Sequence, residues 1–102
     1  MIARRFIAHA TLPNARAYAA FFENELVPKL RTIAGHRGAL VLTEPQDETV
    51  RITVLTFWES MDAVACFASS TPGRAVVEPE ARRLFRTFEE RVDHLDVVVD
   101  TR

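Results

Sequence analysis

The chain has 102 residues, of which 13 are Lys or Arg and 14 are Asp or Glu. A chain of this length is expected to form one domain over residues 1–102 and to bury about 65% of its unfolded surface. The net charge of −1 lacks the basic surplus that binding a nucleic-acid backbone requires. A content of 48% hydrophobic and 26% charged residues excludes disordered, collagen-like and membrane-spanning classes.

Cysteine usage and the N-terminal residues fit a cytoplasmic protein. Cys66 is the single cysteine, which excludes an intrachain disulfide and a metal site built on several thiolates. Arg4 and Arg5 are not followed by the apolar run of a signal peptide. No apolar stretch is long enough to span a bilayer, so no membrane partner is expected.

The first predicted strand covers 3–10, and a helix follows it. Thr11 is suited to cap this helix and Pro13 to lie in its first turn, where a missing N–H costs nothing. Apolar residues at spacings of three and four mark its inner face: Ala15, Tyr18, Phe22, Leu26, Leu30 and Ile33. Pro28 is expected to kink the helix or tighten its last turn, and Gly35 is expected to end it as a C-cap.

Two further strands are predicted to form an antiparallel hairpin. They cover 38–43 and 50–57, and a polar turn over 44–48 joins them. Alternate apolar residues of the second strand share one face: Val50, Ile52 and Val54. The remaining chain is predicted as helices and one more strand.

Ser60 is suited to cap a second helix that ends near Ala68. A short helical piece is predicted over 74–77, a helix over 79–91 that begins with proline, and a fourth strand over 92–99. The order strand, helix, strand, strand, helix, strand predicts an α+β, ferredoxin-like fold with an antiparallel sheet and helices on one face. The other face keeps apolar side chains, so a second copy is expected to cover it in a homodimer.

Three segments can be read together: Val-Leu-Thr-Phe-Trp-Glu-Ser at 54–60, Gly-His-Arg-Gly-Ala at 35–39 and Val-Asp-His at 92–94. With Ala-Val-Val at 75–77 and Pro-Glu-Ala-Arg at 79–82, this set resembles the antibiotic biosynthesis monooxygenase (ABM) family over almost the whole chain. The resemblance implies dimeric α+β barrels of ferredoxin-like monomers, each with a pocket between sheet and helices. Some members oxidise aromatic anthrones with O₂ and no cofactor, others degrade heme, and many similar small proteins have no known activity.

Two departures from the family pattern concern the activity. Similar sequences often carry Trp and Gly in the first strand, where this chain has Phe6 and Ala8. The heme-degrading branch carries a second Trp and then a His after the Trp-x-Ser segment, where this chain has Phe67 and Val77. Because Val77 stands where the heme-degrading branch has its histidine, heme degradation is not expected. No other cofactor is expected either.

Trp58 and His94 are the candidate catalytic residues. Trp58 is suited to stack on a planar substrate and donate its N–H, or else to anchor the core. His94 shares a strand face with Asp96, and a carboxylate there would hold the ring in the tautomer that a general base requires. An ordinary strand or interface histidine fits the same pattern.

The candidate substrate-binding residues are Phe6, His9, Tyr18 and Phe67. Tyr18 lies on the inner face of the first helix, and His9 lies beside either the pocket or the dimer face. His36 is expected in a solvated turn. The spacing of the three histidines matches no metal motif, so no metal is expected.

Two functions are compatible with these residues. The first is a cofactor-independent monooxygenase that acts with O₂ on a small aromatic substrate such as an anthrone or a quinol. The alternative is a non-catalytic dimer that binds a small apolar or aromatic ligand, which the lack of a strong acid–base pair favours. No nucleophile elbow and no phosphate-binding loop is present in the sequence.

Overall fold

A five-stranded antiparallel sheet is the centre of the computed structural model, which describes residues 1–69 and 71–102. Its strands in chain order are β1 (Ile2–Ala10), β2 (His36–Pro45), β3 (Val50–Trp58), β4 (Thr87–Phe88) and β5 (Asp93–Asp96). β3 lies between β2 and β1, and both β4 and β5 pair with the other edge of β1. The predicted α+β, ferredoxin-like arrangement and the hairpin are confirmed, and the last strand is shorter than predicted.

The first helix, α1 (Leu12–Phe21), begins as predicted. The Thr11 side chain accepts a hydrogen bond from the backbone N–H of Asn14 at 3.3 Å, and Pro13 lies in the first turn. The cap satisfies an N–H that has no partner within the helix. The inner-face residues Tyr18 and Ala15 are buried, which confirms the predicted apolar face.

Beyond α1 the helix widens before it ends. A π-helical turn (Phe22–Leu26) leads into α2 (Val27–Leu30), and the backbone N–H of Val27 donates to the carbonyl of Phe22. Pro28 has no N–H to continue the α-helical pattern. The distortion predicted at Pro28 is therefore present, but as a widened turn rather than a kink or a tightened one.

Gly35 is not the C-cap that the sequence predicts, because α2 ends at Leu30 with Arg31 as its C-cap. Gly35 has a φ of +86°, and its carbonyl accepts the backbone N–H of Glu59 at 2.7 Å. A Cβ at this position would lie 2.5 Å from the Cβ of Ala63. Glycine is thus required here by the close approach of two backbone segments.

The second predicted helix is observed as α3 (Met61–Ala68). Ser60 caps it, since the serine hydroxyl accepts the N–H of Ala63 at 3.2 Å. The piece over 74–77 is not helical: Arg74 forms an antiparallel bridge with Arg91.

The helix predicted over 79–91 is much shorter in the structure. It is α4 (Pro79–Leu84), and sheet hydrogen bonds replace helical ones beyond it. The backbone N–H of Arg86 donates to the carbonyl of His9 at 2.7 Å, and that of Glu89 donates to the carbonyl of Ile7 at 3.0 Å. The free edge of β1 therefore competes successfully with the helix for these backbone groups.

Alternation along the central strands divides the sheet into two faces. The helix-covered face holds the buried side chains of Ile52, Val54 and Trp58. The opposite face, called the open face below, consists of the strand side chains that alternate with those of the helix-covered face. It carries three exposed leucines: Leu40, Leu42 and Leu95. In the described residues, no helix has the length and apolar character needed to cross a membrane.

Candidate functional site

A pocket opens between the helix-covered face of the sheet and the helices. Its empty volume, with the open mouth included, is about 640 Å³. β1 and β3 contribute Arg4, Phe6, Val54 and Thr56 to its lining. The helical side adds a set of mostly apolar residues: Tyr18, Phe22, Leu26, Lys29, Leu30, Ile33 and Phe67. An apolar pocket with a few polar groups is the usual form of a small-molecule site.

Aromatic rings dominate the lining of this pocket. Phe6, Tyr18, Phe22 and Phe67 all contribute, and Phe85 joins them from behind, with ring centroids 4.9 Å from Tyr18 and 5.7 Å from Phe6. Burial raises the pKa of the Tyr18 phenol, so its hydroxyl stays protonated at neutral pH. These rings suit a planar aromatic ligand, which offers matching faces and edges.

Arg4 is the buried cation of the pocket, with 4% of its surface exposed. Its Nη1 donates to the carbonyl of Pro72, and its Nη2 donates to the carbonyl of Arg74 at 2.6 Å. The guanidinium carbon lies 5.5 Å from the ring centroid of Phe67. Burial lowers the pKa of Arg4 to about 10, so the group stays charged at neutral pH.

His94 contacts Arg4. Its Nε2 lies 3.0 Å from Nη1 of Arg4. A guanidinium has only donors, so Nε2 accepts this hydrogen bond and the ring proton is on Nδ1. Burial, followed by the charge of Arg4, lowers the pKa of His94, and Asp93 opposes the shift. The imidazole is neutral at pH 7, and the side chain that hydrogen-bonds its ring is Arg4 rather than the expected Asp96.

Trp58 lies behind the pocket wall and is fully buried. Its Nε1–H donates to Oγ1 of Thr56 at 2.8 Å, and its ring stacks on Phe67 with centroids 5.3 Å apart. Thr56 and Phe67 both line the pocket, whereas Trp58 is not among the lining residues in the described part of the chain. Trp58 therefore positions two residues that a ligand would touch.

The structure brings three of the four candidate binding residues to the pocket, namely Phe6, Tyr18 and Phe67. His9 lies on the open face instead, since it is opposite Arg51 of β3 in the strand register. His36 is the first residue of β2, half-buried, with its ring 5.0 Å from that of Trp58. The solvated turn expected for His36 is thus wrong.

Arg4 is the site residue that sequence reasoning missed. The sequence could have indicated its orientation, because residues two apart in a strand share a face. Arg4 therefore lies on the same face as Phe6 and Ala8, toward the helices. The segments that supply its carbonyl partners have no periodicity that a sequence pattern would reveal.

Comparison with known proteins supports the fold. No protein-family model and no curated protein matches the sequence. A similar solved structure is that of the heme-degrader MhuD from Mycobacterium tuberculosis with two hemes bound in its active site. It has a TM-score of 0.59 and 17% identity, over 97% of this chain and 98% of that chain. At this identity the similarity shows a shared ferredoxin-like α+β fold.

The pocket residues do not fit heme. Protein ligands to heme iron are His, Cys, Met or Tyr side chains. Among the lining residues that the structure describes, only Tyr18 belongs to these types. The raised pKa of Tyr18 disfavours the phenolate that would bind iron, and Nε2 of His94 is engaged by Arg4. Residues 1–69 and 71–102 also contain no cluster of three His, Cys, Asp or Glu residues that could hold a metal ion.

Proposed function

We propose that this protein is a cofactor-independent oxygenase that oxidises a small aromatic substrate with O₂ in the pocket. The observation that carries the proposal is an aromatic-lined pocket whose Arg4 contacts a neutral imidazole, that of His94. His94 itself is not among the described residues that line the pocket. The resemblance to the ABM family supports the reaction class. The apolar lining supports the substrate class, because it would hold the aromatic ring away from water.

The reaction needs no electron donor other than the substrate. A base removes a proton from an activated CH₂ group, and the carbanion transfers one electron to O₂. The resulting radicals combine to a hydroperoxide, which loses water and leaves a carbonyl group. One oxygen atom is thus found in the product and the other in water. His94 is the proposed base: its Nε2 exchanges the hydrogen bond from Arg4 for one from a water molecule, which carries the proton from the substrate to the imidazole.

Oxygen uptake with purified protein tests this proposal. A panel of anthrones and quinols should show consumption of one O₂ per carbonyl formed. His94→Ala should lower kcat by about 10²–10⁴-fold, the usual contribution of a general base. His9→Ala is the matched control and should leave kcat close to wild type, since His9 lies on the open face. Absence of uptake with every substrate of the panel would contradict the oxygenase proposal.

A second candidate function is ligand binding without turnover. One observation favours it: both candidate catalytic residues already have hydrogen-bond partners in the protein. Nε2 of His94 accepts from Arg4, and Nε1–H of Trp58 donates to Thr56. A binding protein of this kind would gain thermal stability with an aromatic ligand and form no product.

We also propose that two copies associate through the open face. Support comes from Leu40, Leu42 and Leu95, whose surfaces are between 40% and 45% exposed on one side of the sheet. A second sheet would remove these leucines from water.

A further inference from the structure

We infer that the pocket selects an aromatic oxyanion and that Arg4 binds its charged oxygen atoms. The ligand is a planar aromatic molecule that bears an acidic oxygen group, such as a carboxylate or a phenolate. The inference rests on the proposed function for its site and deepens it by naming the charge of the substrate. The environment of the Arg4 guanidinium supports this assignment.

Arg4 has no ion-pair partner in the described residues. Burying an unpaired charge is costly, so buried arginines are normally paired with carboxylates. The ion pairs found in the described residues all involve other, more exposed arginines: Arg5, Arg37, Arg51 and Arg102. Desolvation is the cause that lowers the pKa of Arg4. A bound anion would supply the counter-charge that the described chain does not.

The guanidinium of Arg4 also has more donors than it has acceptors in the described residues. A guanidinium has five N–H groups. Three of them serve Pro72, Arg74 and His94. Within the residues that the structure describes, the other two have no protein acceptor. The planar arrangement of guanidinium donors matches the oxygen atoms of an organic anion.

The Arg4 guanidinium is held in place where a ligand would lie. Carbonyl groups of Pro72 and Arg74 hold the guanidinium at the pocket lining, so little ordering is needed when an anion binds. Phe67 lies beside it and would contact the aromatic body of the same ligand.

Two other charged residues, Lys29 and Glu78, also line the pocket. They have opposite signs, and both are more exposed than Arg4. The deeply buried charge of the site is therefore positive.

Calorimetric titration of the wild-type protein with two matched ligands tests the inference. 2-Naphthoate carries a carboxylate, whereas 2-naphthamide has nearly the same shape and no charge. Naphthoate should bind about tenfold more tightly or better, the range of hydrogen bonds to a charged group. Equal affinity for the two ligands would overturn the inference.

Substitutions then locate the preference. Arg4→Met should remove the preference for naphthoate while naphthamide still binds. Arg5→Met is the matched control, since Arg5 is the next residue, faces the open side and pairs with Asp93 at the surface. A preference that survives Arg4→Met, or one that Arg5→Met removes, would overturn the assignment to Arg4.

Arg4→Lys covers the case in which Arg4→Met does not fold, because lysine keeps the charge and loses the planar set of donors. It should bind naphthoate more weakly than wild type; unchanged affinity would count against recognition by the guanidinium. The oxygenase proposal can fail separately. A preference for naphthoate with no oxygen uptake from any substrate supports this inference and contradicts the oxygenase. Oxygen uptake without a preference for naphthoate supports the oxygenase proposal and contradicts this inference.

Discussion

Arg4 and Arg5 are adjacent in the sequence but have opposite environments. Arg4 is buried at the pocket, whereas the Arg5 side chain is 40% exposed and lies 2.7 Å from a carboxylate oxygen of Asp93. Strand alternation produces this difference. The position of Tyr18 at the pocket followed from such periodicity, whereas Phe6 and Phe67 were candidates through the resemblance to the ABM family. The hydrogen-bond partners of Arg4 could not be predicted in this way, because they are backbone carbonyls from an irregular segment.

The environment of His94 predicts how stability depends on pH. Burial and Arg4 lower its pKa in the folded protein, whereas the unfolded chain keeps the ordinary value of about 6.5. The unfolded state therefore takes up a proton first as the pH falls, and stability decreases below about pH 6.5. Burial and the charge of Arg31 shift the pKa of His36 in the same direction.

Urea midpoints measured from pH 7.5 to pH 5 check this prediction. The midpoint should fall over this window, and His94→Gln should make the fall smaller. His94→Gln combined with His36→Gln should make it smaller still. An undiminished fall in the double variant would show that other groups cause it.

The chain from 79 to 91 shows where prediction of an element fails. Its apolar residues recur at a helical spacing, yet the helix ends at Leu84 and Thr87–Phe88 forms β4. The backbone N–H and carbonyl groups of these residues can form hydrogen bonds either within a helix or with the free edge of β1. Periodicity reports which side chains are apolar but not which neighbouring backbone is available, so tertiary structure decides.

At the turn between α2 and β2, Gly35→Ala should be strongly destabilising. The alanine would have a φ of +86°, and its Cβ would lie 2.5 Å from the Cβ of Ala63. Overpacking and left-handed strain together are expected to cost about 2–4 kcal/mol. Urea unfolding at neutral pH measures this change.

Gly73→Ala is the control for Gly35→Ala. A Cβ at position 73 would lie 3.9 Å from Nη1 of Arg91, which is ordinary contact. This substitution should be neutral or stabilise by up to about 1 kcal/mol, because it restricts the unfolded chain. Equal costs at positions 35 and 73 would contradict the role of close approach.

For the whole molecule, the open face predicts self-association. Sedimentation should give twice the 11.5 kDa chain mass at micromolar concentration. Leu42→Glu should shift the protein to monomer, because it places a charge among the exposed leucines. Leu12→Glu is the matched control, since Leu12 is 50% exposed and lies in the first turn of α1 rather than in a strand of the sheet. A wild-type monomer, or dissociation caused by Leu12→Glu, would contradict association through the open face.

The packing of Trp58 makes the protein its own optical probe. It is the single tryptophan of the chain, it is fully buried, and it touches Phe67 and Thr56, which line the pocket. Its fluorescence therefore arises from one environment. Only one residue, Phe67 or Thr56, separates the indole from a molecule bound in the pocket. Changes in emission can therefore be assigned to occupancy of this pocket without an attached dye. The same signal would follow the rate of ligand entry, which equilibrium titration does not measure.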